Sequence, residues 1–372
     1  IAINAIRKDD MAPYIYKTHD SGKNWKLVTE GLPSNGPVNV VRADPKQPGL
    51  LFAGTERAVY FSVDEGAHWQ SLRNNMPATS IRDLVIHEDD LVVGTHGRSI
   101  WILDNIAPLR EMIKTQKESV HLFTPSVATR VRDNMFHDTP LPPEEPTGQN
   151  PPDGAILDYH LVVDASSVQL EILHQDGKVI RSYASDNLPV NVDTTTQRHP
   201  SYWMRPVQKL GTSAGHHRFT WDLKYAPPRG ADASYSIAAV YNNTPSGPVG
   251  PMVNPGRYRV RLTVDGEVTE KSLALRMDPR VSISSAALQS QHNLSMACYQ
   301  AYHELQKMAE TIVTQKKPSL AALALLGTGS PRDQDVLYGS IRAVSPEKET
   351  IIGLQNKLIY MMNVLQSADV NP

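Results

Sequence analysis

The chain carries one eight-residue signature twice, 44 residues apart. Thr18-His19-Asp20-Ser21-Gly22-Lys23-Asn24-Trp25 is matched by Ser62-Val63-Asp64-Glu65-Gly66-Ala67-His68-Trp69, and both read hydroxyl–x–Asp–x–Gly–x–x–Trp. A third, degenerate copy follows, in which Gly94-Thr95 lies over Gly54-Thr55 and Asp104 over Asp64, with the motif's Gly and Trp lost. A period of about 40 to 45 residues, with short strands between turn signals, is the spacing of a four-stranded propeller blade. Roughly two and a half such units precede Ile106, whereas propellers close from about four to eight blades. The chain also opens inside a unit, at Ile1-Ala2-Ile3-Asn4. The expectation is the C-terminal part of a longer protein, or one half of a split one.

Composition narrows the function classes. With 37 basic and 39 acidic residues the formal charge is −2, which gives no reason to expect nucleic acid or an anionic membrane as partner. No apolar run approaches the roughly 20 residues of a membrane span. The single Cys298 excludes an internal disulfide framework and a cysteine-based zinc site. No phosphate-binding glycine loop and no serine nucleophile elbow is present, and no cofactor or metal is expected.

Four segments follow from pattern. Residues 1–107 hold the repeats, with apolar alternation around Val38, Leu50, Val59, Leu84 and Ser99 to Leu103 bounded by Gly, Pro, Asp or Asn. Residues 108–153 form a connector that begins helically (Pro108 to Lys117) and becomes Pro-rich from Thr139. Residues 154–280 read as an immunoglobulin- or fibronectin-like β-sandwich. Its clearest hairpins turn at Asp176-Gly177 and Asp265-Gly266, where both turn positions favour φ > 0. Residues 226–256 read as a long loop. Residues 281–372 read as a helical hairpin, with apolar stripes through Leu288, Met296, Tyr299 and Tyr302 and through Ile351, Leu354, Leu358 and Met361. Shorter helical pieces are expected between Pro318 and Val344, and Ser345-Pro346 reads as an N-cap followed by a first-turn proline. The predicted class is mainly β with an α-helical tail.

The two octapeptides resemble the signature of Asp-box (bacterial neuraminidase repeat) propellers. Val93-Gly94-Thr95-His96-Gly97-Arg98-Ser99-Ile100-Trp101-Ile102-Leu103-Asp104 is similar to the final blade of secreted bacterial sortilin-like, glycosyl-hydrolase-like propeller proteins. In that group a segment like Val120-His121-Leu122-Phe123, a β-sandwich and a helical tail follow in the same order. The resemblance implies an extracellular or periplasmic protein. It leaves activity open, since sialidases, xyloglucanases and sortilin-type receptors share the repeat.

Asp20 and Asp64 invite a glycosidase reading, with one carboxyl as acid and the other as nucleophile or base. The motif argues for a structural role instead: Thr18, Asp20, Gly22 and Trp25, and Ser62, Asp64, Gly66 and Trp69, build a turn in which a short carboxylate accepts backbone N–H bonds and the indole packs between strands. Thr95-His96-Gly97-Arg98 is more suggestive of binding. His96 and Arg98, with Glu56 and Arg57 at the equivalent corner of the preceding unit, are candidates for a polar channel lining, and arginine suits a carboxylate ligand. A salt-bridge network between blades is the plainer account of the same four residues. His216-His217 lacks a third ligand at useful spacing, and Cys298 sits in a helical apolar pattern. Asn242 and Asn293 head sequons of the kind that arise by chance. The leading expectation is a propeller scaffold that binds a peptide or glycan and is completed by N-terminal blades. The alternatives are an exo-acting glycoside hydrolase with most catalytic residues upstream, and a structural module that forms a homo-oligomer.

Overall fold

The short alternating runs of the repeats become three consecutive antiparallel sheets in the computed structural model, which describes residues 1–115, 118–132, 148, 150–187, 200–231, 234–235, 244–314, 325–326 and 350–367. The first sheet holds β1 (Ala2–Ile3), β2 (Tyr14–Lys17) and β3 (Lys26–Leu27). The second holds β4 (Val38–Ala43), β5 (Leu51–Thr55), β6 (Val59–Ser62) and β7 (Gln70–Ser71). The third holds β8 (Ile81–His87), β9 (Asp90–Thr95) and β10 (Ile100–Leu103). In each, strands are ordered as in the sequence. Registers repeat as well: Ile1 and Tyr16 pair through Tyr16 N–H and Ile1 O, as Ala53 faces Tyr60.

The middle sheet is covered on both faces. Ile15, Val28, Val38, Ala53 and Trp69 form one cluster with the first sheet. Val40, Leu50, Phe52, Phe61, Ile81, Leu84, Leu91 and Val93 belong to a larger cluster with the third. Each fully buried Val, Leu, Ile or Phe among them contributes roughly 1.5–3 kcal/mol. Gly54 lets the second and third sheets close up, since a Cβ there would lie 2.6 Å from Ile81 Cγ2. No closed ring of sheets forms among the described residues.

Beyond β10, Ile106 enters the larger cluster and α1 (Ala107–Thr115) follows. Arg110 of α1 pairs with Asp44 and Asp89. The remaining strands are β11 (Val120–Leu122), β12 (Ala128–Arg130), β13 (Ala155–Leu161), β14 (Val168–Leu173), β15 (Val179–Ala184), β16 (Gly215–Trp221), β17 (Ser234–Tyr235), β18 (Ser246–Gly247), β19 (Gly256–Val264) and β20 (Glu267–Met277).

Contacts divide the chain into two units, each assembled from segments that are distant in the sequence. The first unit is Ile1–Ser126 with Ile156–Asp164 and Ser213–Arg218. The reason is long-range pairing: β11 lies antiparallel to β13, with Val120 opposite Leu161, and a strand pattern does not name its partner. The second unit contains a five-stranded sheet ordered β12-β20-β19-β14-β15, with β12 parallel to β20. Both Asp-Gly hairpins occur in it, and Asp265 and Gly266 have φ of 47° and 92°.

The helical tail of this unit comprises α2 (Ser285–Val313) and α3 (Ile351–Gln366), capped by the side chains of Ser284 and Thr350. The helices pack together, and Gln355 Nε2 donates to Gln306 Oε1 at 2.9 Å. Most of the Pro-rich segment, part of the 226–256 loop, nearly all of the Pro318–Val344 stretch and the Ser345-Pro346 cap lie outside the described residues. Among the described residues no helix is long and apolar enough to cross a membrane.

Candidate functional site

The two octapeptides fold into one and the same turn. In the first, Thr18 Oγ1 accepts from Gly22 N–H (3.0 Å) and donates to Asp20, whose Oδ1 accepts from Asn24 N–H (2.9 Å). In the second, Ser62 Oγ accepts from Gly66 N–H (2.8 Å) and donates to Asp64, which accepts from His68 N–H (2.9 Å). Ser21 and Gly22 have φ of 59° and 89°, and Glu65 and Gly66 have 60° and 89°. Both carboxylates are engaged by their own turn. The backbone and side-chain bonds from Asn24, with that from Thr18, lower Asp20 to about 2. Burial pulls Asp64 upward, but bonds from His68 and Ser62 outweigh it and leave the group below its ordinary value.

The four channel candidates occupy matching corners of the second and third sheets. Thr55 Oγ1 accepts from Arg57 and Ala58 N–H, and Thr95 Oγ1 accepts from Arg98 N–H. Glu56 N–H donates to Pro37 O (3.0 Å), as His96 N–H does to Ser80 O (2.9 Å). The corners are tied together, since Thr79 N–H donates to Arg57 O and Thr79 Oγ1 to His96 O. Gly97 takes φ of 79° in open space.

Three residues absent from the sequence reading complete this edge: Asn39, Ser80 and Arg82. The edge strands β4 and β8 each carry a register shift, between Val38 and Val40 and between Ile81 and Asp83. A bulge leaves one residue unpaired and re-aims its side chain. The bulged residues are Asn39 and Arg82, and both reach Glu56. Asn39 Nδ2 donates to Glu56 Oε1 (3.0 Å) and Ile81 O (3.0 Å), and Arg82 Nη1 lies 3.4 Å from Glu56 Oε1. Asn4, the residue after β1, donates to Asn39 Oδ1 (2.5 Å) and extends the row toward the first sheet. Burial favours the neutral Glu56 carboxyl, but bonds from Ser80 and Asn39 and the charges of Arg82 and His96 prevail and hold it below the usual range. Asp83 is taken by Arg42 (2.7 Å). Arg57, His96 and Arg98 are exposed and make no side-chain ion pair among the described residues. The edge therefore offers a compensated carboxylate flanked by the exposed guanidinium groups of Arg57 and Arg98 and the exposed His96 ring. The 43-residue step from Asn39 to Arg82 was the available signal for the row.

The remaining candidates sit elsewhere. His216 Nε2 lies 3.2 Å from Asp158 Oδ1, and the His217 ring stacks on Tyr159 at 5.0 Å. Asp158 is buried and also takes Arg218 (2.8 Å) and Asn105 (3.0 Å). Among the described residues no three His, Cys, Asp or Glu side chains gather in a way that could hold a metal. Cys298 is buried in α2, where burial pushes its thiol up.

No protein-family model and no curated protein matches the chain. Among solved structures it is similar to the extracellular domain of BT4673 from B. thetaiotaomicron, at 9% identity over 72% of this chain and 28% of that one, with a TM-score of 0.21. A second structure of the BT4673 extracellular domain gives 10% identity, 72% and 33% coverage and a TM-score of 0.19. YCF48 bound to D1 peptide gives 14% identity, 46% coverage of each chain and a TM-score of 0.21. The chain spans less than half the length of each, and likeness at this level carries no argument about fold or function.

Proposed function

We propose that the three sheets are blades of an Asp-box propeller whose inner edge binds a carboxylate-bearing peptide or glycan. The observation that carries this reading is the row aimed by two matching bulges, with Arg57, His96 and Arg98 exposed beside it. Arginine presents a planar fork of donors that matches a carboxylate in two parallel bonds. Glu56 already has partners, so it orients Asn39 and Arg82 and is not itself available for acid–base work. A glycosidase needs two carboxyls facing a shared bond, and no observation favours that chemistry at this edge. The role is that of a scaffold with a recognition site. The family resemblance adds a place outside the cytoplasm.

The test is a screen of the full chain against acidic glycans and against peptides with acidic C-termini, repeated with Arg57→Ala and Arg98→Ala. A specific ligand is expected whose affinity falls about tenfold or more in each variant, in line with the loss of a charge-assisted bond, and falls further with salt. Binding that ignores both substitutions, or no acidic ligand at all, would overturn the reading.

A further inference from the structure

The two tryptophans of the repeat stand in different surroundings, and the difference defines a surface. Trp69 is 3% exposed. Its indole N–H donates to Val28 O (3.0 Å) and its backbone N–H to Glu30 O (2.8 Å), both from the segment leaving the first sheet. Gly31 is part of the same contact: it takes φ of 90°, and a Cβ there would lie 2.2 Å from Trp69 O. Gly66, beneath the indole, also faces Val28: a Cβ there would lie 3.3 Å from Val28 Cγ2. Sheet two thus receives the exit segment of sheet one on its tryptophan face.

Sheet one presents the same face without a cover. A Cβ at Gly22 would lie 3.6 Å from Trp25 Cζ2, the same as a Cβ at Gly66 from Trp69 Cζ2, so each indole sits over its turn in the same way. Yet Trp25 is 45% exposed, and its indole N–H turns back to Gly22 O (3.0 Å). The register puts Ile3 opposite Tyr14 and Leu27 opposite Tyr16, so these four share one face, while Ala2 and Ile15 share the other and pack toward sheet two. On the bare face Ile1, Ile3 and Leu27 are exposed and Tyr14 stacks with Tyr16 at 6.3 Å. Tyr60, the counterpart of Tyr16, is packed in the covered interface.

We infer that the Trp25 face is a docking surface for a further Asp-box blade, one whose exit segment carries the Val28–x–x–Gly31 pattern. This rests on the blade reading proposed above. The occupant is identified by the interface already present one repeat later: the same turn, the same indole donor and the same apolar face accept that segment there. The glycine is the selective element, because the tryptophan's carbonyl leaves no room for a side chain. Position 75, the counterpart of Gly31, is Asn, and in the third copy Leu109 stands where the motif's tryptophan would be.

The test compares the 372-residue chain with one carrying a second copy of residues 1–52 ahead of Ile1. That junction keeps register, since Ile1 pairs with Tyr16 as Ala53 does with Tyr60. Hydroxyl-radical footprinting with mass spectrometry reads each tryptophan. In the unextended chain Trp25 should oxidise about tenfold faster than Trp69, following their exposures. In the extended chain Trp25 should fall to the rate of Trp69, and Gly31→Ala in the copied segment alone should restore fast oxidation. Gly31→Ala in the unextended chain is the second variant and should raise Trp69 toward the rate of Trp25.

Trp25 equally reactive with and without the extension would overturn the inference, as would Trp69 staying protected in the Gly31→Ala chain. Protection of Trp25 in the unextended chain that rises with protein concentration would assign the face to a second copy and also overturn it. Ligand binding at the Arg57–Arg98 edge is read separately, so failure of that reading leaves these rates unchanged.

Discussion

The turn at residues 18–25 and the turn at residues 62–69 are twins in hydrogen bonding and opposites in burial. Hydroxyl, carboxylate and two consecutive left-handed residues reproduce the same loop whether or not anything lies against it. The tryptophan's surroundings are a separate, tertiary matter: buried under Val28 and Gly31 in one case, half in solvent in the other. The signature therefore encodes a local shape, and the contact made by the indole depends on the neighbouring sheet.

The sharpest way to break that comparison is to delete each indole. Trp69→Ala should cost about 3–5 kcal/mol of unfolding free energy, as large buried aromatics do. Trp25→Ala should cost under ~1 kcal/mol, as exposed positions do. Urea denaturation reads both, and equal costs would mean that the local turn alone sets the energetics.

The glycines follow at smaller scale. Gly22→Ala meets only an ordinary contact with Trp25, so the loss should be about 1–2 kcal/mol from the left-handed conformation. Gly31→Ala carries the same strain plus the approach of Trp69 O, and the loss should exceed that of Gly22→Ala by roughly 1–2 kcal/mol, the scale of overpacking.

The smallest effect lies in pH. Asp20 and Asp64 have depressed values in the folded protein, so the stability they contribute is present above the ordinary carboxylate value near 3.8. It is lost as pH falls, and for Asp20 the loss continues to about 2. His68 runs the other way. The bond and charge of Asp64 raise its value above 6.5, so its contribution is present below 6.5 and vanishes as pH climbs through the raised value. Asn24 holds the matching position in the first turn and does not titrate. His68→Asn should flatten the neutral limb of a stability–pH profile while leaving the acid limb in place; an unchanged neutral limb would show that the His68–Asp64 pair contributes nothing.

Much of the repeat was legible because its causes are local. The octapeptides and the Asp-Gly hairpins each depend on residues a few positions apart. What escaped depends on partners far along the chain. Val38-Asn39-Val40 reads as plain alternation, so the register shift that turns Asn39 toward Glu56 leaves no mark in the pattern. Asp158 and Arg218 are 60 residues apart, and nothing in either neighbourhood announces their pairing. The exposure of Trp25 was hidden for the opposite reason, because an identical motif hides a different environment.

The matched bulges have an evolutionary consequence. Residues 39 and 82 stand outside the ladder and outside the apolar clusters. Of these two positions, one each in the second and third sheets, Asn39 is half-buried and bonded across sheets, and Arg82 is exposed. Under the recognition role proposed above, a change at Arg82 would alter the polar row while leaving the apolar interior as it is.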